Sequence, residues 1–280
     1  MLSPTLAASL VFVYGFILIT VALSFTESRL LPNWEWAGLE RYADLFDNER
    51  FWTSAKNLAI FGGLFIGISL IVGLLLAILL DQKIRGEGFL RAVYLYPMAL
   101  SFIVTGTAWK WLLNPGLGLE RIVQQLGWTS FSFDWLVNPD RAIYTVVIAG
   151  VWQSAGFAMA LFLAGLRGVD SEIIKAAQVD GASALTIYRR IIIPTLRPVF
   201  FSTLMVLSHL AIKSFDLVMA LTAGGPGYAT DMPATFMYTM AFSRGQIGLG
   251  AASATMMLAT VAALVVPYLY SELRSKPHDR

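Results

Sequence analysis

LAIFGGLFIGISLIVGLLLAILL, Leu58 to Leu80, is a run of 23 residues without a charged side chain. A helix of about 20 apolar residues crosses the ~30 Å hydrocarbon core of a bilayer, and a helix satisfies its backbone hydrogen bonds where no water can. The stretch therefore reads as a membrane-spanning helix, the standard for reading its neighbours. Composition agrees: 57% of the residues are hydrophobic and 14% charged, with a mean hydropathy of +0.66, whereas soluble domains run at about 45–50% apolar and about 25% charged.

Toward the N-terminus, Glu27 to Ser54 reads as a loop whose Trp34, Trp36 and Trp52 suit the headgroup interface. Leu39, Tyr42, Leu45 and Phe46 recur there at helical spacing, predicting a short helix on the membrane surface. Residues 6–25 carry no charge and form the first span. No basic segment precedes them and the run exceeds the ~7–15 residues of a signal-peptide apolar region, so a span is expected rather than a cleaved leader.

Toward the C-terminus, a short basic turn (81–91) precedes a span at 92–113. Pro97 lies inside it, removes a backbone donor and predicts a kink, with Ser101, Thr105 and Thr107 at hand for the freed backbone groups. Further spans are expected at 142–166, 199–221 and 248–270, the last opening on a small-residue face from Gly248 to Ala254. The second span, 58–80, carries Gly62, Gly63, Gly67 and Gly73 for close helix approach, with Gly63 and Gly67 as a small-residue pair. AGGPG, Ala223 to Gly227, predicts a tight turn between the last two spans.

The loops 81–91 and 167–198 and the tail 271–280 hold eleven lysines and arginines, against six in the longer opposite loops. The excess places those loops and both termini on the cytoplasmic side. The expected fold is an all-α polytopic membrane protein with six transmembrane helices in a single transmembrane domain, 1–280.

Several functions are excluded. With no cysteine there is no disulfide, thiolate metal site or cysteine nucleophile, and His209 and His278 alone build no histidine cluster. A net charge of +2 makes no case for nucleic acid. No G-x-x-x-x-G-K-[ST] loop is present, so ATP hydrolysis is not expected of this chain.

Two regions carry chemistry. On a continuous helix over 199–221, Ser202, Val206, His209, Lys213, Asp216 and Ala220 share one stripe. Charges at the bilayer centre cost about 2.5–3.5 kcal/mol each on insertion scales, so such a stripe faces a partner or a watery path. It fits a solute pathway, joined by Ser101, Trp152 and Gln153 from other spans, and it also fits an internal Lys213–Asp216 ion pair. Gln153 equally suits a helix-to-helix hydrogen bond.

The second region is 167–198. Ser171 is placed to cap a helix that Asp180-Gly181 ends, and Ser183 to cap a second that stops before Pro194, predicting a helical hairpin. Ile173, Ala176, Ala177 and Asp180 lie on one face, suited to the groove of another protein. A helix lying on the bilayer fits the spacing as well.

KAAQVDGASALTIYRRIIIPTLRP, Lys175 to Pro198, resembles the EAA loop of ABC-importer permeases at Ala176, Ala177, Gly181, Ile191 and Pro194. Lys175 stands where that family usually has glutamate, and Ile193 where it has leucine. GLERYADLFDNERFW with Asn57, RAVYLYP with Ser101, WKWLLNPGLG, DWLVNPDRA, FDLVMALTAGGPG with Thr230, and Ala241-Phe242 are similar to the carbohydrate branch, the maltose and glycerol-phosphate permeases.

The resemblance implies an ATP-driven importer for a sugar or sugar-like solute, or alternatively a polyol or glycerol phosphate. It implies a multi-pass subunit of the bacterial cytoplasmic (inner) membrane, paired with a second permease, two copies of a cytoplasmic ATPase that hold ATP and magnesium, and an extracytoplasmic sugar-binding protein. Lys175, Ala176, Ala177, Asp180, Gly181, Ala182, Ser183, Ile191 and Pro194 would then couple to the ATPase. An ion-coupled secondary transporter would instead use the His209, Lys213 and Asp216 stripe, and a membrane scaffold would use the hairpin alone.

Overall fold

The computed structural model describes residues 3–82 and 84–275; Lys83, Lys276, His278 and Arg280 lie outside them. In chain order the helices are α1 (Thr5–Leu23), α2 (Glu40–Phe46), α3 (Glu49–Asp81), α4 (Glu87–Ala99), α5 (Phe102–Leu112), α6 (Leu119–Gln125) and α7 (Ala142–Arg167). They continue as α8 (Ser171–Val179), α9 (Ala184–Thr195), α10 (Arg197–Ile212), α11 (Phe215–Leu221), α12 (Pro233–Tyr238) and α13 (Ile247–Ser275). Among the described residues the only extended pairing is an isolated bridge between Thr26 and Trp36. The protein is all-α.

Among the described residues four helices, α1, α3, α7 and α13, are long and apolar enough to cross a membrane. Two bent pairs, α4 with α5 at 99° and α9 with α10 at 62°, bring the number to six if each pair is one span. The 92–113 segment is thus broken rather than kinked. Pro97 sits in a single 3₁₀ turn, Tyr96–Ala99, after which Leu100 and Ser101 are extended, and the Ser101 hydroxyl restarts the helix by accepting from the Val104 N–H at 3.3 Å. A proline that cannot donate favours the tighter turn. The expected continuous helix over 199–221 is also interrupted: α10 stops at Ile212 and α11 begins at Phe215.

The chain forms two compact units. In the first, residues 1–59 with 212–280, Leu45 of α2 is wholly buried with Phe51, Phe236, Met240, Leu249 and Ala252. The predicted short helix exists; of its apolar stripe Leu45 is buried and Tyr42 half-buried, while Leu39 and Phe46 stay exposed. The small residues opening α13 pack as expected. A Cβ at Gly248 would strike the Thr26 carbonyl and one at Gly250 the Ala241 backbone, while Ala252 and Ser253 are fully buried.

The second unit, residues 60–211, is built around α7. Ala158, Met159, Phe162, Leu163 and Leu166 of that helix bury Ala77 and Leu80 of α3 and Ile187, Ile192 and Leu196 of the α9 region. Close helix approach is made at Gly73, where a Cβ would crowd Ala158 and Met159. Gly63 and Gly67, the expected pair, have no atom within 4 Å of where a Cβ would be. The motif was real in spacing but faces away from this chain.

Candidate functional site

The hairpin forms as predicted, with one change of cap. Asp170, not Ser171, begins α8, its carboxylate accepting from the Glu172 N–H at 2.8 Å. Gly181, at φ +80°, turns the chain, and the Ala182 N–H returns to the Ala177 carbonyl at 2.9 Å. Ser183 caps α9 by accepting from the Thr186 N–H at 3.4 Å. α9 passes through a π-turn, Tyr188–Ile192, and runs on through Pro194 to Thr195, beyond its expected stop.

Helix spacing then divides the hairpin into two faces. Ile174, Ala177, Ala182, Tyr188 and Ile191 pack on the core around α7. Ile173, Ala176 and Asp180 point to solvent, so Ala177 does not share their face. The most exposed apolar side chains flank the turn: Val179 is 88% and Leu185 77% exposed. Lys175 turns back on its own helix, its Nζ 3.0 Å from Glu172 Oε1. The base is clamped: Arg167 donates to Glu87 Oε1 at 2.6 Å and lies 3.9 Å from Asp81, and Gln82 donates to the Tyr188 hydroxyl at 3.2 Å.

Of the six pathway candidates, Ser101, Trp152 and Gln153 come together at the break between α4 and α5. Gln153, 4% exposed, donates its amide to the Leu100 carbonyl at 2.7 Å. One turn along, Gly156 admits the Tyr94 carbonyl into the space a Cβ would fill, and Trp152 meets Trp109 edge to face at 5.9 Å. Gln153 Oε1 and the Thr105 hydroxyl are buried without a partner. Gln153 therefore serves as a helix-to-helix bond first. His209, Lys213 and Asp216 are exposed, and no ion pair joins Lys213 to Asp216 among the described residues. The interruption at Lys213 and Ser214 breaks the stripe that a continuous helix would have carried.

Residues 69–275 match the family of binding-protein-dependent transport system inner membrane components. The chain belongs to that family. The permease is 39% identical over 271 residues to a probable ABC transporter permease of Pyrococcus horikoshii, covering 96% of this chain and 93% of that one. It is 38% identical over 266 residues to the xylose/arabinose import permease of Haloferax volcanii, covering 94% and 83%. It is 30% identical over 271 residues to the trehalose/maltose transport permease of Thermococcus litoralis, covering 96% and 91%. In fold it matches a chain of a bacterial ABC transporter that imports alginate, with a TM-score of 0.85 at 20% identity over 99% of this chain and 95% of that one. It is the membrane permease component of an ABC importer, not itself an enzyme.

The permease also buries a polar cluster that the sequence did not reveal. Arg50 Nε lies 2.6 Å from Asp231 Oδ2, and another guanidinium nitrogen donates to the Thr239 hydroxyl at 3.2 Å. The guanidinium stands 4.4 Å from the centre of the Tyr228 ring. Asn57, two turns further along α3, donates to the carbonyls of Tyr228 and Asp231 at 2.9 and 3.0 Å. Arg50 and Asp231 are 181 residues apart, so no local spacing signals the pair.

Proposed function

We propose that this permease moves a sugar or sugar-like solute inward across the cytoplasmic membrane. It does so with a second permease subunit, two copies of a cytoplasmic ATPase and an extracytoplasmic solute-binding protein. The hairpin carries the reading: a structured turn, anchored on the core by one face, offers Ile173, Ala176, Val179 and Leu185 to a partner on the other. The excess of basic residues supports its placement, with both termini, on the cytoplasmic side. ATP and magnesium belong to the ATPase subunits. The sugar class is supported by relatives named for xylose/arabinose and trehalose/maltose transport.

In this mechanism, closure of the ATPase pair displaces the hairpin, and the contacts of Ile174, Ala177 and Tyr188 pass the displacement to α7 and the end of α3. Nucleotide drives the change only through its different affinity for the two states. With Lys175 held by Glu172, docking rests on shape around Ala176 and the Gly181 turn. Lys213 and Asp216 of the first unit, and Trp152 and His209 of the second, are exposed and each is offered as a solute contact, while Ser101 and Gln153 shape the bend within the second unit.

The test is uptake of radiolabelled maltose, trehalose, xylose and arabinose by proteoliposomes holding the four-component importer. At least one is taken up, dependent on ATP; uptake of none, with ATP hydrolysis still stimulated by the binding protein, removes the sugar assignment. Gly181→Asp adds a charge at the docking turn in a residue type that tolerates positive φ. It is expected to lower uptake about tenfold or more with the permease still folded, and unchanged uptake refutes hairpin docking.

A further inference from the structure

The Arg50–Asp231 cluster has no part in the transport scheme above, yet it is built with care. The side chains of Arg50 and Asp231 are 13% and 1% exposed. Thr235 donates its hydroxyl to the second Asp231 oxygen at 2.5 Å and accepts from the Met232 N–H at 2.8 Å, so the carboxylate also organises the entry to α12. No side-chain atom of Arg50, Asn57, Asp231, Thr235 or Thr239 is among the buried polar atoms without a partner. Burying an ion pair rarely gains stability over apolar residues of the same volume, and its best-attested use is to single out one arrangement.

The arrangement it holds can be followed outward. Next to Asp231, Thr230 donates its hydroxyl to the Gly225 carbonyl at 2.9 Å and its N–H to the Gly224 carbonyl at 3.2 Å. That hydroxyl also lies 2.7 Å from the hydroxyl of Thr222, the residue that ends α11. Phe215, which begins α11, packs on Tyr238 of α12 at 5.0 Å. Both ends of the seven-residue helix that carries Asp216, with Lys213 just before it, are therefore tied to elements that Asp231 organises.

We propose that Arg50 and Asp231 are positioning residues for transport: a latch that, through the AGGPG turn and α12, sets where α11 presents Lys213 and Asp216. This rests on the reading of Lys213 and Asp216 as pathway residues. The latch touches no solute.

The test replaces both charges at once, Arg50→Met with Asp231→Leu, in the complete reconstituted importer. Removing the pair together avoids leaving one buried charge alone. With radiolabelled maltose, or whichever of the four sugars the wild type takes up, the apparent KM is expected to rise about tenfold while the maximal rate changes far less. A second measurement needs no solute. The chain has no cysteine, so Asp216→Cys in the purified complex reports its surroundings through its rate of reaction with a maleimide. That rate is expected to change about threefold or more when the latch is removed, because labelling follows local opening and exposure.

An unchanged labelling rate overturns the latch, as does a fall in maximal rate with KM unmoved, which marks a merely structural pair. If the double variant fails to assemble, Asp231→Asn, which keeps the shape, takes its place with the same two readouts. Altered labelling in a complex that transports none of the sugars supports the latch while the sugar assignment fails, so the two are judged separately.

Discussion

The latch at Arg50 and the bend at Leu100 both bury polar groups in an apolar chain, and they settle them in opposite ways. At the latch a charged pair meets hydroxyl, amide and aromatic partners, leaving no buried acceptor or donor unmatched. At the bend, Gln153 gives its donor to Leu100 but leaves its own oxygen unpaired, as it leaves the Thr105 hydroxyl nearby in sequence to the break. A fully partnered network makes one geometry much better than its neighbours, whereas orphaned groups cost free energy in the state that holds them. The latch is thus specified to one arrangement, and the bend is specified less tightly.

Three substitutions press on that contrast. The largest effect is expected of Arg50→Ala, which strands the Asp231 carboxylate in the interior and costs about 3–5 kcal/mol. It would be read as a lowered unfolding midpoint of the purified complex, and a change no greater than that of a surface mutant would erase the distinction between the two regions. Gln153→Ala comes next, about 1–3 kcal/mol, since it leaves the Leu100 carbonyl unmatched while removing one orphan oxygen. Should it equal Arg50→Ala, the bend is as tightly specified as the latch. Thr105→Val is the smallest: removing a hydroxyl without a partner is neutral or stabilises by up to about 1 kcal/mol. A clear loss of stability there would expose a hydrogen bond that the bend makes in another state.

Much of the architecture was legible in the residues. Uncharged runs marked the four helices long and apolar enough to cross a membrane, and Pro97 marked a segment that breaks. Gly181 and Ser183 marked the hairpin, because caps and turns are set by residues close in sequence. The errors have a common cause. Asp170 displaced Ser171 as cap, and Ala177 turned inward with Ile174, because the register of α8 on the core chooses which of two adjacent residues faces in. Val179 and Leu185 were visible as apolar residues, but only packing showed that both are left uncovered. The stripe on 199–221 assumed a helix that stops at Ile212.

By itself the sequence determined the class of this protein, its long unbroken helices, the side of the membrane that its charges favour, and the hairpin that marks its family. These follow from composition, period and cap chemistry, which act over a few residues. Tertiary structure alone decided which of the second span's glycines, Gly73 and not Gly63 or Gly67, meets a helix, that the partner of Gln153 is the Leu100 carbonyl at a bend, and that Arg50 finds Asp231. Each depends on which distant segments meet in a chain whose apolar faces offer many partners, and local periodicity carries no record of that choice.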